Sequence, residues 1–217
     1  MTRAISPGRA RRATRRGISW TLFLGMLVGL LAGRPFAAAA SMSVLGSSNG
    51  KECYFQARVS AGHSAAISVC RDALAFDSLS EKDRAATLVN LGIILTHAAK
   101  HPEALKAFDD AEEIRPGLTE AMINRGNTYF HQREFELAIE EYGRSLEAGT
   151  GRRAEAYVNR ALAHEYRKDF PSAARDYACA LAHRPEFAKA ERGVSRVRNL
   201  GHEVPASCED SLAAATP

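Results

Sequence analysis

Three copies of one residue pattern recur along this chain at intervals of 34 and 35 residues. The copies align on the tripeptides Asn90-Leu91-Gly92, Asn124-Arg125-Gly126 and Asn159-Arg160-Ala161. In each copy a small residue stands 12 positions after the third residue of this tripeptide, an aromatic residue 16 positions after it, and a second small residue 19 positions after it. These residues are Ala104, Phe108 and Ala111, then Ala138, Tyr142 and Ser145, then Ala173, Tyr177 and Ala180. A fixed period of this length indicates that the chain is built from repeated supersecondary units.

The pattern resembles the tetratricopeptide repeat (TPR), a helix–turn–helix unit of about 34 residues. The resemblance implies an all-α fold, a right-handed superhelical stack of antiparallel helix hairpins in which neighbouring hairpins bury a common core. Small residues at matching positions would let the two helices of a hairpin approach closely. The expected pairs are Gly92 with Ala104, Gly126 with Ala138 and Ala161 with Ala173.

The chain departs from the TPR pattern at three places. Arg125 and Arg160 stand where the family usually has an apolar residue. The second copy also lacks the closing proline that the other two have, and Gly149-Thr150-Gly151 takes its place. We expect these departures to affect local packing and to leave the fold unchanged.

The register of the repeats divides the chain beyond residue 40. We predict a flexible terminus at 41–50, a degenerate helix hairpin at 51–77, TPRs at 84–117, 118–151 and 153–186, a capping helix at 186–200 and a polar tail at 201–217. A capping helix is expected because a solenoid needs a polar outer face at its end.

The first forty residues have the composition of an export signal. Six arginines precede an apolar run from Ile18 to Gly33, and four alanines end at Ala40. This order predicts a signal peptide at 1–40, cleaved between Ala40 and Ser41. The alternative is an uncleaved membrane anchor, although the apolar run is shorter than the roughly 20 residues that a spanning helix needs. Twin-arginine and general secretory export both remain open.

The whole chain has a net charge of +4, and its positive sign comes from this segment. Seven of the 29 basic residues lie in residues 1–40, which leaves 22 against 25 acidic residues, a net charge of −3. A nucleic-acid-binding domain would need a basic face on its folded part. We therefore predict no nucleic-acid partner, a periplasmic or secreted location, and membrane contact only if the signal stays uncleaved.

Four cysteines behind an export signal predict disulfide bonds. Four cysteines allow three pairings, and the register of the repeats favours one. Cys70 occupies the position of the conserved aromatic in the degenerate hairpin, where Cys53 on the partner helix would face it. Cys179 would then pair with Cys208 and hold the polar tail against the last repeat. Buried free thiols or a metal cluster are the alternatives, but no Cys-x-x-Cys pair occurs.

No motif of a catalytic site stands out. The sequence has no glycine-rich phosphate loop and no nucleophile elbow. His97 and His101 are four residues apart, as two metal ligands on one helix would be, but Pro102 places His101 in a turn. We predict a protein that catalyses nothing and needs no cofactor or metal.

The TPR resemblance implies a concave groove lined by the first helix of each hairpin. Recurring asparagines there could hold a peptide backbone, because an amide both donates and accepts hydrogen bonds, and apolar neighbours could bury its side chains. The alternative is that the asparagines bridge the hairpins internally. The groove residues are Val89, Asn90, Ile93, Thr96, His97, Ile123, Asn124, Asn127, Phe130, His131, Val158, Asn159, Leu162, Glu165 and Tyr166.

These features predict a protein- or peptide-binding TPR module of the bacterial cell envelope. The groove lacks the lysines and arginines with which carboxylate-clamp TPR proteins hold chaperone termini, so that use is excluded. The alternatives are a structural adaptor, an accessory subunit of an envelope complex, and a membrane-anchored TPR protein.

Overall fold

The computed structural model describes Met42 and residues 48–59, 64–149 and 151–208. These residues form helices and no strand. The helices are α1 (Ser48–Arg58), α2 (Ser64–Phe76), α3 (Glu81–His97), α4 (His101–Ile114), α5 (Thr119–Gln132), α6 (Phe135–Glu147), α7 (Arg153–Tyr166), α8 (Phe170–His183) and α9 (Ala188–Asn199). The predicted signal peptide, its cleavage site at Ala40 and Ser41, and the end of the tail lie outside the described residues.

The helices pack in the order in which they occur in the chain. Each packs against the next, and the first helix of each hairpin also contacts the first helix of the following one, as α3 does with α5 and α5 with α7. This arrangement confirms the all-α repeat stack. Its right-handed superhelical sense stays a prediction. Among the described helices, none is long and apolar enough to cross a membrane.

Local signals define where the helices begin and turn. Ser80 caps α3, because its side chain accepts a hydrogen bond from the backbone N–H of Asp83. Prolines lie in the first turn of α4 and of α8, where the missing N–H costs nothing. In each of the hairpins α3–α4, α5–α6 and α7–α8 one residue between the two helices adopts a left-handed conformation. These residues are Ala99, Arg133 and Lys168, with φ of 57°, 67° and 64°.

The glycines of the first two copies lie against the aromatic ring of the same copy. The expected contact between Gly92 and Ala104 stays a prediction. A methyl group on Gly92 would have the ring of Phe108 as its nearest neighbour, closer than carbon atoms can approach, and one on Gly126 would meet the ring of Tyr142 in the same way. The aromatic ring thus fills the volume that a larger side chain at the glycine position would occupy. Gly193 in α9 receives the ring of Tyr177, which continues this packing into the last helix.

The first hairpin begins earlier than the sequence suggested. Helix α1 starts at Ser48, inside the range 41–50 that was expected to be flexible. Cys53 and Cys70 are both buried and join α1 to α2 through a disulfide with Cα atoms 4.8 Å apart. A hairpin of two short helices buries little surface, so this covalent link supplements its packing.

The other disulfide lies at the opposite end of the stack. Cys179 in α8 is joined to Cys208, with Cα atoms 4.4 Å apart. Helix α9 packs its inner face against α7 and α8, where Ala190, Val194 and Val197 are buried. Both cysteine pairs agree with the pairing that the repeat register favours.

Candidate peptide-binding groove

The predicted groove residues lie on α3, α5 and α7, and the structure buries most of them. The buried ones are Val89, Asn90, Ile93, Thr96, Ile123, Asn124, Asn127, Phe130, Val158, Asn159 and Leu162. His97, His131 and Glu165 are half-buried, whereas Tyr166 is 45% exposed. A partner that approaches the described residues therefore meets mainly the end of the row near His131 and Tyr166.

Asn90 holds the backbone of a residue from the N-terminal part of the chain. Its Oδ1 accepts a hydrogen bond of 3.0 Å from the N–H of Met42, and its Nδ2 donates one of 2.6 Å to the carbonyl oxygen of Met42. Met42 is in no helix, and its half-buried side chain packs against the hydrophobic core around α3. No local sequence pattern marks Met42 as a partner of Asn90, because the two residues are 48 positions apart.

Three further asparagines form a buried chain between α5 and α7. Nδ2 of Asn159 donates to Oδ1 of Asn127 at 3.0 Å, and Nδ2 of Asn127 donates to Oδ1 of Asn124 at 3.2 Å. The hydroxyl of Tyr142 in α6 also donates to Oδ1 of Asn127, at 2.8 Å. Burial raises the pKa of Tyr142 well above its ordinary value, so this hydroxyl remains a donor. These bonds are the internal bridging that the sequence left open as an alternative.

A second polar contact links α3 to α5 across the same side of the stack. The hydroxyls of Thr96 and Thr128 are 2.7 Å apart and both are buried. Each hydroxyl also lies 2.9 Å from the carbonyl oxygen four residues earlier in its own helix. One hydroxyl donates to the other, and the accepting hydroxyl donates to its own helix carbonyl. Buried polar groups are stable only when they are hydrogen-bonded, and these pairings therefore fix how neighbouring hairpins align.

An aromatic cluster closes the row at α7. The ring of Tyr166 lies edge-on to Phe130 at a centroid distance of 5.1 Å and stacks on Phe135 at 5.3 Å. Phe130 also contacts the ring of His131 edge-on at 6.5 Å. Aromatic side chains offer a large contact area to a ligand, and here buried neighbours hold the exposed ring of Tyr166 in place. Phe135, at the start of α6, was not among the residues selected from the sequence.

The arginines that depart from the TPR pattern are paired with carboxylates. Arg125 is 8% exposed and contacts Glu112 at 2.6 Å, Glu141 at 2.9 Å and Asp109 at 2.5 Å. Burial lowers the pKa of Arg125, but hydrogen bonds to Glu141 and Glu112 outweigh it, so the pKa lies above its usual value. The guanidinium is thus a permanent cation within the stack.

Arg160 follows the same rule with one carboxylate. It forms two hydrogen bonds of 2.8 Å to Asp176 in α8. Arg160 and Asp176 are 16 residues apart, and so are Arg125 and Glu141. At the corresponding positions of the first repeat the chain has Leu91 and Ala107. This coupled change between a polar and an apolar pair is a signal in the sequence that could have predicted both ion pairs.

The histidines considered as metal ligands do not form a metal site in the part of the chain that the structure describes. There, no group of three or more His, Cys, Asp or Glu side chains could hold a metal ion. The Nδ1 atoms of His97 and His101 are buried, and no hydrogen-bond partner is described for either. Burial lowers the pKa of both residues, which favours the neutral ring.

Comparison with known proteins supports the resemblance over part of the chain. No protein-family model matches the chain. A segment of 59 residues is 34% identical to human Tetratricopeptide repeat protein 6. This segment makes up 27% of this chain and 11% of the human protein. The chain thus spans about a tenth of the length of this curated relative. Together with the helical stack, the match shows that part of this chain is similar to a TPR protein.

Proposed function

We propose that this chain is a non-catalytic, exported module that binds an extended protein or peptide segment along α3, α5 and α7. The observation that carries the proposal is the contact between Asn90 and Met42. It places both the N–H and the carbonyl of one non-helical residue on a single amide of the groove. A ligand held in this way is recognised by its backbone, which every peptide has, and its apolar side chains can add burial against the helices.

The exposed aromatic ring at the other end of the row supports the same function. Tyr166 rests on Phe130 and Phe135, so its rotamer is restricted before a ligand arrives. A preorganised side chain loses less conformational entropy on binding than a free one. Because three repeats offer a modest contact area, we expect an affinity in the micromolar range.

Export to an oxidising compartment fits the two disulfides, since such bonds persist there and are rare in the cytosol. The signal-like composition of residues 1–40 agrees with this location. We place the protein in the bacterial cell envelope or outside the cell, with a protein as its partner.

Site-specific photocrosslinking tests the groove. A photoreactive phenylalanine analogue is placed at Tyr166 in one preparation and, as a control, at Lys106, which is exposed on α4. Both are mixed with envelope extract and irradiated. We expect a discrete adduct from position 166 and none from position 106, whereas equal labelling from the two positions would contradict the proposal.

A substitution series measures the contribution of the aromatic ring. Tyr166→Ala should weaken capture of the crosslinked partner by at least about fivefold, which is roughly 1 kcal/mol. Tyr166→Phe keeps the ring and should bind as the unchanged protein does. If Tyr166→Ala also binds unchanged, the ring is not part of the binding surface.

A structural adaptor remains the second candidate, because the first hairpin exposes large apolar side chains. Phe55 is 55% exposed, Val59 71% and Phe76 80%. Such side chains in water are characteristic of docking surfaces when they lie together. If Phe55→Ser or Phe76→Ser abolishes partner capture while Tyr166→Ala does not, the adaptor function is favoured.

A further inference from the structure

The contact between Met42 and Asn90 is bidentate. The amide of Asn90 presents one acceptor and one donor, and Met42 fills both with its own N–H and carbonyl, at 3.0 and 2.6 Å. Asn90 is completely buried. An unpaired amide in that position would be costly, because buried polar groups need hydrogen-bond partners. The site thus suits an occupant that offers both a backbone N–H and a backbone carbonyl.

Asn90 binds Met42 through backbone atoms only, so the contact depends little on the side chain. Any residue with a free N–H could form the same two bonds, and proline could not. The thioether side chain adds apolar contact with the core around α3, and flexible methionine is easily replaced in such a role. A segment of another protein could therefore occupy the same position on Asn90.

The chain keeps its own occupant close to the site. Only five residues separate Met42 from Ser48, where α1 begins, and α1 itself packs against α3. A short tether gives an intramolecular ligand an effective concentration in the millimolar range. An external peptide of similar intrinsic affinity would compete poorly until the tethered segment leaves.

We propose that Met42 is an intramolecular ligand that occupies the first-repeat end of the groove and that a binding partner must displace. This inference rests on the proposed function, because it assigns the same groove an internal competitor. Cleavage at the predicted site between Ala40 and Ser41 would make Met42 the second residue of the processed chain. The occupant would then be the new N-terminus that export creates.

The internal contact is tested without any partner. Amide hydrogen exchange at position 42 is followed by NMR in the full chain and in Asn90→Ala. We expect exchange at least about tenfold slower in the unchanged protein, the factor that roughly 1.4 kcal/mol of hydrogen bonding gives. Met42→Ala keeps the backbone N–H and should stay protected. Equal rates in the unchanged protein and in Asn90→Ala would overturn the proposal.

Competition is tested with a fluorescent peptide that reproduces residues 37–46, added to the full chain. Met42→Pro removes the N–H that Asn90 accepts, whereas Met42→Ala is the matched control that keeps it. We expect the probe to bind Met42→Pro at least about tenfold more tightly than the unchanged protein or Met42→Ala. Adding Asn90→Ala to Met42→Pro should abolish this gain.

The same affinity for all variants, or no binding to any, would overturn the proposal. Position 42 lies outside the helices, so Met42→Pro leaves the stack intact, and thermal unfolding by circular dichroism verifies this. Probe binding to Met42→Pro without a crosslinked partner at position 166 would refute the proposed function alone. A crosslinked partner with unchanged probe binding would refute only the internal ligand.

Discussion

Single atoms decide how closely the helices of a hairpin pack. The ring of Tyr142 occupies the volume that a Cβ on Gly126 would need. The hydroxyl of Tyr142 in turn donates a hydrogen bond to Asn127. A methyl group would displace the ring and strain this hydrogen bond. The glycine therefore serves packing within the hairpin and the alignment of the next hairpin together.

The first prediction follows from this contact. Gly126→Ala should lower the free energy of unfolding by about 1 to 3 kcal/mol, as overpacking of a core does. Gly143→Ala is the matched control, because a methyl group there would have its nearest neighbour, Nη1 of Arg160, at 3.8 Å. In the interior of α6 it should raise stability by about 0.5 to 1 kcal/mol. Urea unfolding measures both, and a stabilised Gly126→Ala would contradict the packing described.

The carboxylates around Arg125 give a second prediction. Arg125→Leu leaves Glu141 and Glu112 without their buried cation and should cost about 3 kcal/mol. Adding Glu141→Ala recreates the Leu91 and Ala107 pair of the first TPR and should recover at least about 1 kcal/mol. Arg144 still pairs with Glu112 at 3.0 Å in the double variant. Additive losses in urea unfolding would show that the two residues are not coupled.

Helix hairpins here turn through a residue in the left-handed region, and Ala99 is the smallest of the three. Alanine is strained in that region and glycine is not. Ala99→Gly should therefore raise the free energy of unfolding by about 0.5 kcal/mol, after the greater flexibility of glycine in the unfolded chain is subtracted. Ala98→Gly is the control, since Ala98 has a φ of −79° and should lose stability. Equal effects in urea unfolding would rule out strain at Ala99.

Elements were predictable where the signals are local. Helix α3 begins beside Ser80, whose type favours a helix N-cap, and prolines lie in the first turn of α4 and α8, where they are favoured. The cysteine pairing followed from register alone. The rings of Phe108 and Tyr142 against Gly92 and Gly126 were not predicted, because spacing identifies which residues are small but not which side chain occupies the space.

Whole-molecule contacts explain what the sequence could not supply. The apolar residues of the groove row are buried in cores that several helices share, and the occupant of Asn90 comes from 48 residues away. Neither contact has a periodic signature. The ion pairs of Arg125 and Arg160 could have been predicted from the sequence, because each arginine and its carboxylate partner change together between repeats. This correlation is not visible when each arginine is considered without the residue 16 positions later.

Stability should vary along the stack, because each hairpin contacts mainly its neighbours. Replacing Cys53 and Cys70 by alanine should cost the first hairpin roughly 3 kcal/mol in the chain-entropy model for a loop of this length. Hydrogen exchange should accelerate in α1 and α2 while α7 and α8 stay protected. Replacing Cys179 and Cys208 should instead loosen the end near α9. Uniform acceleration along the chain after either change would contradict a stack of locally stabilised hairpins.

The surroundings of Arg125 also bear on how such a protein can evolve by duplication. Arg125 needs Asp109 and Glu112 from the preceding hairpin, whereas the corresponding positions before Arg160 are Gly143 and Leu146. If the second and third hairpins exchanged places in the gene, Arg125 would follow the third hairpin, where the positions of Asp109 and Glu112 are Ala178 and Leu181. Arg125 would then lose both of these carboxylates. The hairpins share an ancestral plan, yet their order along the gene has become fixed.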